Sequence, residues 1–300
     1  MKTLDTLPET GLDHVGIFGH DLNTLAAVYE RLGFQLTPVS QHARPAAPGE
    51  PATLRGTGNR CAMLQRGYIE LLGVLDPTLD TLGVPEALAR HAGMHIVAFD
   101  VEEIERTIAG LKSAGIPHTL TYLERDINTL EGTGRAKFTQ IKPEAARFPE
   151  GRIFMLRHET RSLLWQPRYL SHPNTATRLR EVVMAVPDAT EAAARYACYL
   201  GAQAMTEPGR ARFTLAQDTA LSLLEPARLA EQFPAVEPTA LPMPVAMVVE
   251  VQSLASAKTH LEGQGVEAVH HGQRLHVAPE AAAGVALVFE QVPPVRALAP

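Results

Sequence analysis

The chain has 300 residues, of which 45% are hydrophobic and 20% charged, with 27 Lys+Arg against 33 Asp+Glu and 2 cysteines. That apolar fraction supports real cores and excludes a disordered chain. The mildly acidic balance argues against a phosphate-backbone binder, and Cys61 and Cys198 are too few for a disulfide framework or a Cys-rich zinc site.

The length suggests two domains, and the start MKTLDTLPETGLDH has no apolar core of a signal peptide. No stretch approaches the ~18 apolar residues of a membrane span. The expectation is a cytoplasmic protein with a small-molecule partner, no nucleic-acid or membrane partner, and a possible homodimer.

Taken in chain order, one pattern recurs: apolar strand, polar cap, amphipathic helix, glycine, strand. DHVGIFGHDLNTLAAVYERLGFQLTPV opens it, with Asp21 or Asn23 as helix cap and Leu22, Leu25, Tyr29 and Leu32 on one face before Gly33. Residues 40–58 then read as a long irregular insertion, followed by the strands RCAMLQ and YIELLGVL around an Arg66-Gly67 turn. The segment 77–93 reads as a partly helical joint passing across a barrel mouth. HIVAFDVEEIERTIAGLKSAGIPHTL repeats the pattern and ends its helix at Gly115. A second insertion at 124–151 precedes RIFMLRH and SLLWQ, both read as strands. Two further copies end their helices at Gly201 and Gly265 and continue into hairpins. Four βαβββ units result, in two halves: 1–170 and 171–300.

The runs LDHVGIFGHDLNTLAAVYERLGF, GTGN at 56–59, YIELLGV at 68–74 and LLWQPRYLSHPN at 163–174 resemble the vicinal oxygen chelate superfamily, and most of all its glyoxalase-like branch. The resemblance implies an α+β fold, with the four units paired into two open β-barrel cups. It also implies a divalent metal (Fe, Zn, Ni or Mn) held by side chains on the first and last strands of each unit. Carried over by position, the ligands are His14, Glu70, His95 and Gln166, although a one-residue shift would put Trp165 or Leu164 in the last place. The residues themselves agree in part. His14 lies inside an apolar strand, between Leu12 and Val15, and a buried, unpaired Glu70 between Ile69 and Leu71 would cost several kcal/mol.

The implied activity is a metal-dependent isomerase or lyase acting on vicinal oxygens. The alternatives are an Fe(II) extradiol-type dioxygenase and a non-catalytic binding or resistance protein. His158 is the reserve proton shuttle, and Asn59 and Trp165 are candidate substrate contacts. If no metal is present, Glu70 is expected to pair with an arginine such as Arg60. The second half, with Glu181 and Ala246 at the matching places, is expected to be structural.

Overall fold

The computed structural model describes residues 10–45 and 52–292, so the middle of the first insertion lies outside the described residues. Unit one comprises β1 (Gly11–Gly19), α1 (Leu22–Arg31), β2 (Ser40–Pro45), β3 (Ala52–Met63) and β4 (Tyr68–Val74). After a joint helix α2 (Val84–Arg90), unit two comprises β5 (Gly93–Asp100), α3 (Ile104–Ser113), β6 (His118–Thr129), β7 (Gly132–Pro143) and β8 (Arg152–His158). A short helix α4 (Arg161–Leu164) leads into the second half. There β9 (Ala176–Ala185), α5 (Ala189–Leu200), β10 (Ala204–Glu207), β11 (Arg210–Leu215) and β12 (Thr219–Leu224) form unit three. After α6 (Pro226–Gln232), unit four is β13 (Met243–Val251), α7 (Leu254–Gly263), β14 (Val269–His271), β15 (Arg274–Val277) and β16 (Ala286–Glu290).

Each half is one eight-stranded sheet, ordered β2-β3-β4-β1-β5-β8-β7-β6 and β10-β11-β12-β9-β13-β16-β15-β14. The fold is thus α+β, with four βαβββ units paired into two cups. Within a half the two units meet along one antiparallel seam, β1 with β5 or β9 with β13, and the outer strands curl round. The local chemistry explains the repeat. Asp21, Asp188 and Ser253 each accept a backbone N–H in the first turn of their helix. Gly33, Gly115, Gly201 and Gly265 all have positive φ, which ends each helix and starts the next segment.

Three expectations need correction. SLLWQ is not a strand: residues 161–164 form α4, so β8 is the last strand of unit two. A short apolar run does not by itself distinguish a buried strand from a helical turn. Residues 124–151 are mostly the long β6–β7 hairpin, whose alternating polar residues hid its strands. Residues 40–58 are not simply an irregular insertion: 40–45 form β2 and 52–58 begin β3, which contains GTGN, and a Cβ on Gly56 would collide with the Asp76 carbonyl oxygen. The glycine lets the loop after β4 lie against the strand.

One hydrophobic core lies on the outer faces of both sheets and joins the halves, running from Leu12 through Val182 to Phe289. A second, smaller cluster fills the inside of the first cup and includes Phe18, Tyr68, Ile96, Phe138 and Phe154. The joint helix α2 contributes Val84, Ala87 and Leu88 to this inner cluster. The second cup has its own apolar filling around Val183, Ala246 and Val288.

Candidate active site

The first cup encloses a cavity of about 380 Å³, within the ordinary size range of small-ligand sites. Both edge strands of the sheet, β2 and β6, line it, together with the seam strand β1 and with β3, β4, β7 and β8.

His14 projects from β1 into this space. A bulge between Leu12 and His14 turns Asp13 so that its carboxylate lies beside the next side chain. His14 Nδ1 donates to Asp13 Oδ2 at 2.5 Å. His158 Nε2, at the end of β8, donates to Asp13 Oδ1 at 2.9 Å. Burial alone would raise the Asp13 pKa, but the imidazoles of His158 and His14 outweigh it and hold the carboxyl well below the usual range. Asp13 is therefore an ionised acceptor, and His14 must carry a proton on Nδ1. Its Nε2 is the nitrogen presented to Glu70, whose Oε2 lies 3.9 Å away.

The surrounding shell fixes this pair. The Tyr68 ring stacks on the His14 imidazole at 4.3 Å, and Phe154 meets it edge-on at 5.6 Å. Asn59 Nδ2, from β3, donates to Glu70 Oε1, and Arg125 Nη1, from β6, donates to Asn59 Oδ1 at 3.4 Å. His14, Glu70, Asn59 and Arg125 thus form a continuous polar line across the cavity. Cys61 beside it is no nucleophile: burial, reinforced by Glu70, pushes its thiol up to about 12.

The other sequence candidates lie elsewhere. His95 does not converge with His14. The seam pairs His14 with Ala98, and His95 stacks on His91 at 3.9 Å and on Phe18 at 4.9 Å, donating from Nε2 to the His91 carbonyl. Burial and the neighbouring His91 bring the His95 pKa down to about 4. Gln166 follows α4 and is not on β8, and its Nε2 donates to the carbonyls of Asn128 and Leu163. His158 does not line the cavity. It is turned to Asp13, and its Nδ1 is buried without a partner. Trp165 lies behind the site, edge-on to Tyr68 and His158, with its Nε1 donating to the Leu64 carbonyl. Arg60 pairs with Glu30, leaving Asn59 as the group bonded to Glu70. Of the two candidate substrate contacts, only Asn59 faces the cavity.

The register identifies the positions that do correspond. Asp21 and Glu103 precede the helices of units one and two, and Gly33 and Gly115 follow them, so His14 matches Ile96. Gly16 pairs with Glu70 across β1 and β4, as Ala98 pairs with Phe154 across β5 and β8, so Glu70 matches Phe154. The four equivalent positions are therefore His14, Ile96, Glu70 and Phe154, and two of them are hydrocarbon. Among the described residues no group of three or more His, Cys, Asp or Glu side chains converges as a metal would require. This donor set does not fit a chelated divalent metal.

In the second half the matching pair is Glu181 and Ser222. Ser222 Oγ donates to Glu181 Oε1 at 2.5 Å, and Arg212 and Arg274 lie at ion-pair distance from that carboxylate. Glu290 is paired with Arg274, and Glu225 accepts the backbone N–H of Ala189 at the start of α5. These acids are occupied by protein partners.

Comparison with known proteins gives three kinds of result. A family model described as a glyoxalase-like domain matches residues 12–200. No curated protein matches in sequence. Solved structures match over nearly the whole chain. One is a hypothetical protein from Staphylococcus aureus, at 12% identity and a TM-score of 0.65, covering 94% of this chain and 100% of that one. Another is a mutant of 4-hydroxymandelate synthase from Streptomyces coelicolor, at 12% and 0.57, covering 95% and 93%. A third is 2,2',3-trihydroxybiphenyl 1,2-dioxygenase from Sphingomonas wittichii, at 13% and 0.51, covering 95% and 91%. At these identities the likeness is one of fold.

Proposed function

The chain belongs to the glyoxalase-like domain family, and from that premise we propose that its first cup is a metal-independent active site that moves a proton on a small substrate. One observation carries the reading: the Asp13–His14 dyad presents Nε2 toward Glu70 across a 3.9 Å gap inside the cavity. An imidazole whose other nitrogen is bonded to a buried carboxylate is oriented, fixed in one tautomer and stabilised when it takes a second proton. Glu70 beside it supplies a second proton-accepting group. The pair can take a proton from one atom of a bound molecule and return it to another, which is isomerase or lyase chemistry without a chelate. Tyr68 and Phe154 hold the imidazole plane, and Asn59 holds Glu70.

The metal-dependent reading and the dioxygenase reading suggested by one structural relative's name both call for ligands where this chain has Ile96 and Phe154. The donor chemistry supports the proton-transfer reading over either.

Proton NMR in deuterated buffer tests it. The purified chain is incubated with a panel of small carbonyl compounds, such as phenylpyruvate, phenylacetone and phenylacetaldehyde, with and without EDTA. The expected result is enzyme-dependent exchange of a carbon-bound hydrogen that EDTA leaves unchanged and His14→Gln lowers by roughly a hundredfold or more. No exchange across the panel, or exchange that appears only with added Fe, Zn, Ni or Mn, would overturn the proposal.

A further inference from the structure

We infer that the ligand of the first cup is an amphipathic carboxylic acid, its carboxylate gripped by Arg125 and its apolar body lying along Phe138, Ile96 and Phe154. This rests on the reading of the cup as a small-molecule site and names the class of molecule it takes.

The first observation is an incomplete arginine. Arg125 Nη1 reaches Asn59 only at 3.4 Å, the Cys61 thiol lies beside the guanidinium, and the guanidinium carbon sits 5.4 Å over the Phe138 ring. Arg125 forms no ion pair among the described residues, and its Nε–H is buried with no hydrogen-bond partner. A half-buried guanidinium with an unpartnered Nε–H facing a cavity is completed by an anion bound there. The side of the fork that includes Nε matches the two oxygens of a carboxylate, and a bidentate pair is the strong form of this contact.

The second observation is the charge inside the cavity. Arg125, Lys142 and Arg152 line it, against Glu70 and Glu124. Glu124 is engaged by Lys137 and Arg135, as Arg152 is by the Leu82 carbonyl, which leaves Arg125 as the decisive cation. The chain as a whole carries −6, yet three cationic side chains gather round this one cavity.

The third observation is the floor. Phe138, Ile96 and Phe154, with Leu72 and Leu156, give an apolar surface where a hydrophilic metabolite would strand its polar groups. A second orphan, Gln140 Oε1, is buried without a partner and sits among the cavity-lining residues on β7. It can accept one donor from the ligand, such as a hydroxyl. A carboxylate at Arg125 puts the adjoining carbons along the same polar line that ends at Glu70 and His14.

Titration calorimetry on the full chain tests this with 3-phenylpropanoate and 3-phenylpropanamide, which share a shape and differ in charge. The acid should bind at least tenfold more tightly than the amide. Arg125→Gln and Arg125→Lys should each remove that preference, and their melting temperatures should stay within a few degrees of the parent. Equal binding of acid and amide, or an acid preference that survives Arg125→Gln, would overturn the inference. The two readings fail separately. Acid-selective binding with no hydrogen exchange keeps the ligand class and loses the chemistry. His14-dependent exchange on uncharged carbonyl compounds with no acid preference keeps the chemistry and loses the ligand class.

Discussion

Asp13 uses its charge to hold two imidazoles, and the effect extends to its neighbour Asp100. The Asp13 pKa is held low in the folded chain, so its contribution to stability is present above about pH 4 and is lost as the pH falls further. Asp100, at the end of β5, behaves in the opposite sense. Burial first, and then the charge of Asp13, raise its pKa from 3.8 to about 6. A raised carboxylic acid favours the protonated folded state, so stability declines as the pH rises from about 4 through about 6. Asp100→Asn removes that penalty. The variant should be more stable than the parent by about 2 kcal/mol at pH 7.5, with the difference closing by pH 4. Urea unfolding at four or five pH values measures it, and a difference that stays constant across the range would show that Asp100 is not the titrating group.

At the level of elements, the repeat could be read from glycine positions and helix caps, because both have local causes that a sequence displays. His14 and Glu70 were equally legible, as polar side chains inside apolar strands. Their partners were not. Asp13 acts through a bulge, and Arg125 lies on a strand whose alternation of polar and half-buried residues resembled a loop. The last-strand position of unit two depends on a single element. Once SLLWQ is taken as a strand, the last strand of unit two moves past β8, and Gln166 displaces Phe154. His95 has the residue type of a ligand, but the register gives Ile96 the place that matches His14. The same register makes a constructive prediction. Ile96→His with Phe154→Glu should give the cup four convergent ligands and bind close to one equivalent of Zn or Ni, whereas the parent should bind less than about a tenth of an equivalent. Metal analysis after dialysis reads both values. Failure of the doubly substituted chain to bind metal while melting cooperatively would mean that His14 and Glu70 are not the other half of that set.

Across the whole molecule, the two cups are not independent bodies. The larger core runs through both halves, and backbone bonds such as Leu179 N–H to the Arg66 carbonyl cross between them. Glu150, with 0% of its side chain exposed, lies just before β8 in the first half and accepts two bonds, at 2.8 and 3.0 Å, from Arg195 on α5 in the second. Arg195 also has Glu191 at 2.9 Å, so removing Glu150 leaves the arginine paired. Removing Arg195 leaves a buried carboxylate with only a 3.4 Å bond from the Tyr196 hydroxyl. The asymmetry gives the prediction its sign. Arg195→Ala should cost about 3–5 kcal/mol, and adding Glu150→Gln should return part of that loss, because the stranded charge and not the missing contact carries most of it. Trp165, the single tryptophan, reports on the first half, while far-UV circular dichroism reports on both. If the shared core makes the chain one cooperative unit, the two signals should give the same urea midpoint in the parent and shift together in Arg195→Ala. A tryptophan midpoint that stays at the parental value while the dichroism midpoint falls would show the halves unfolding separately, and the ion pair would then be a contact between two autonomous cups.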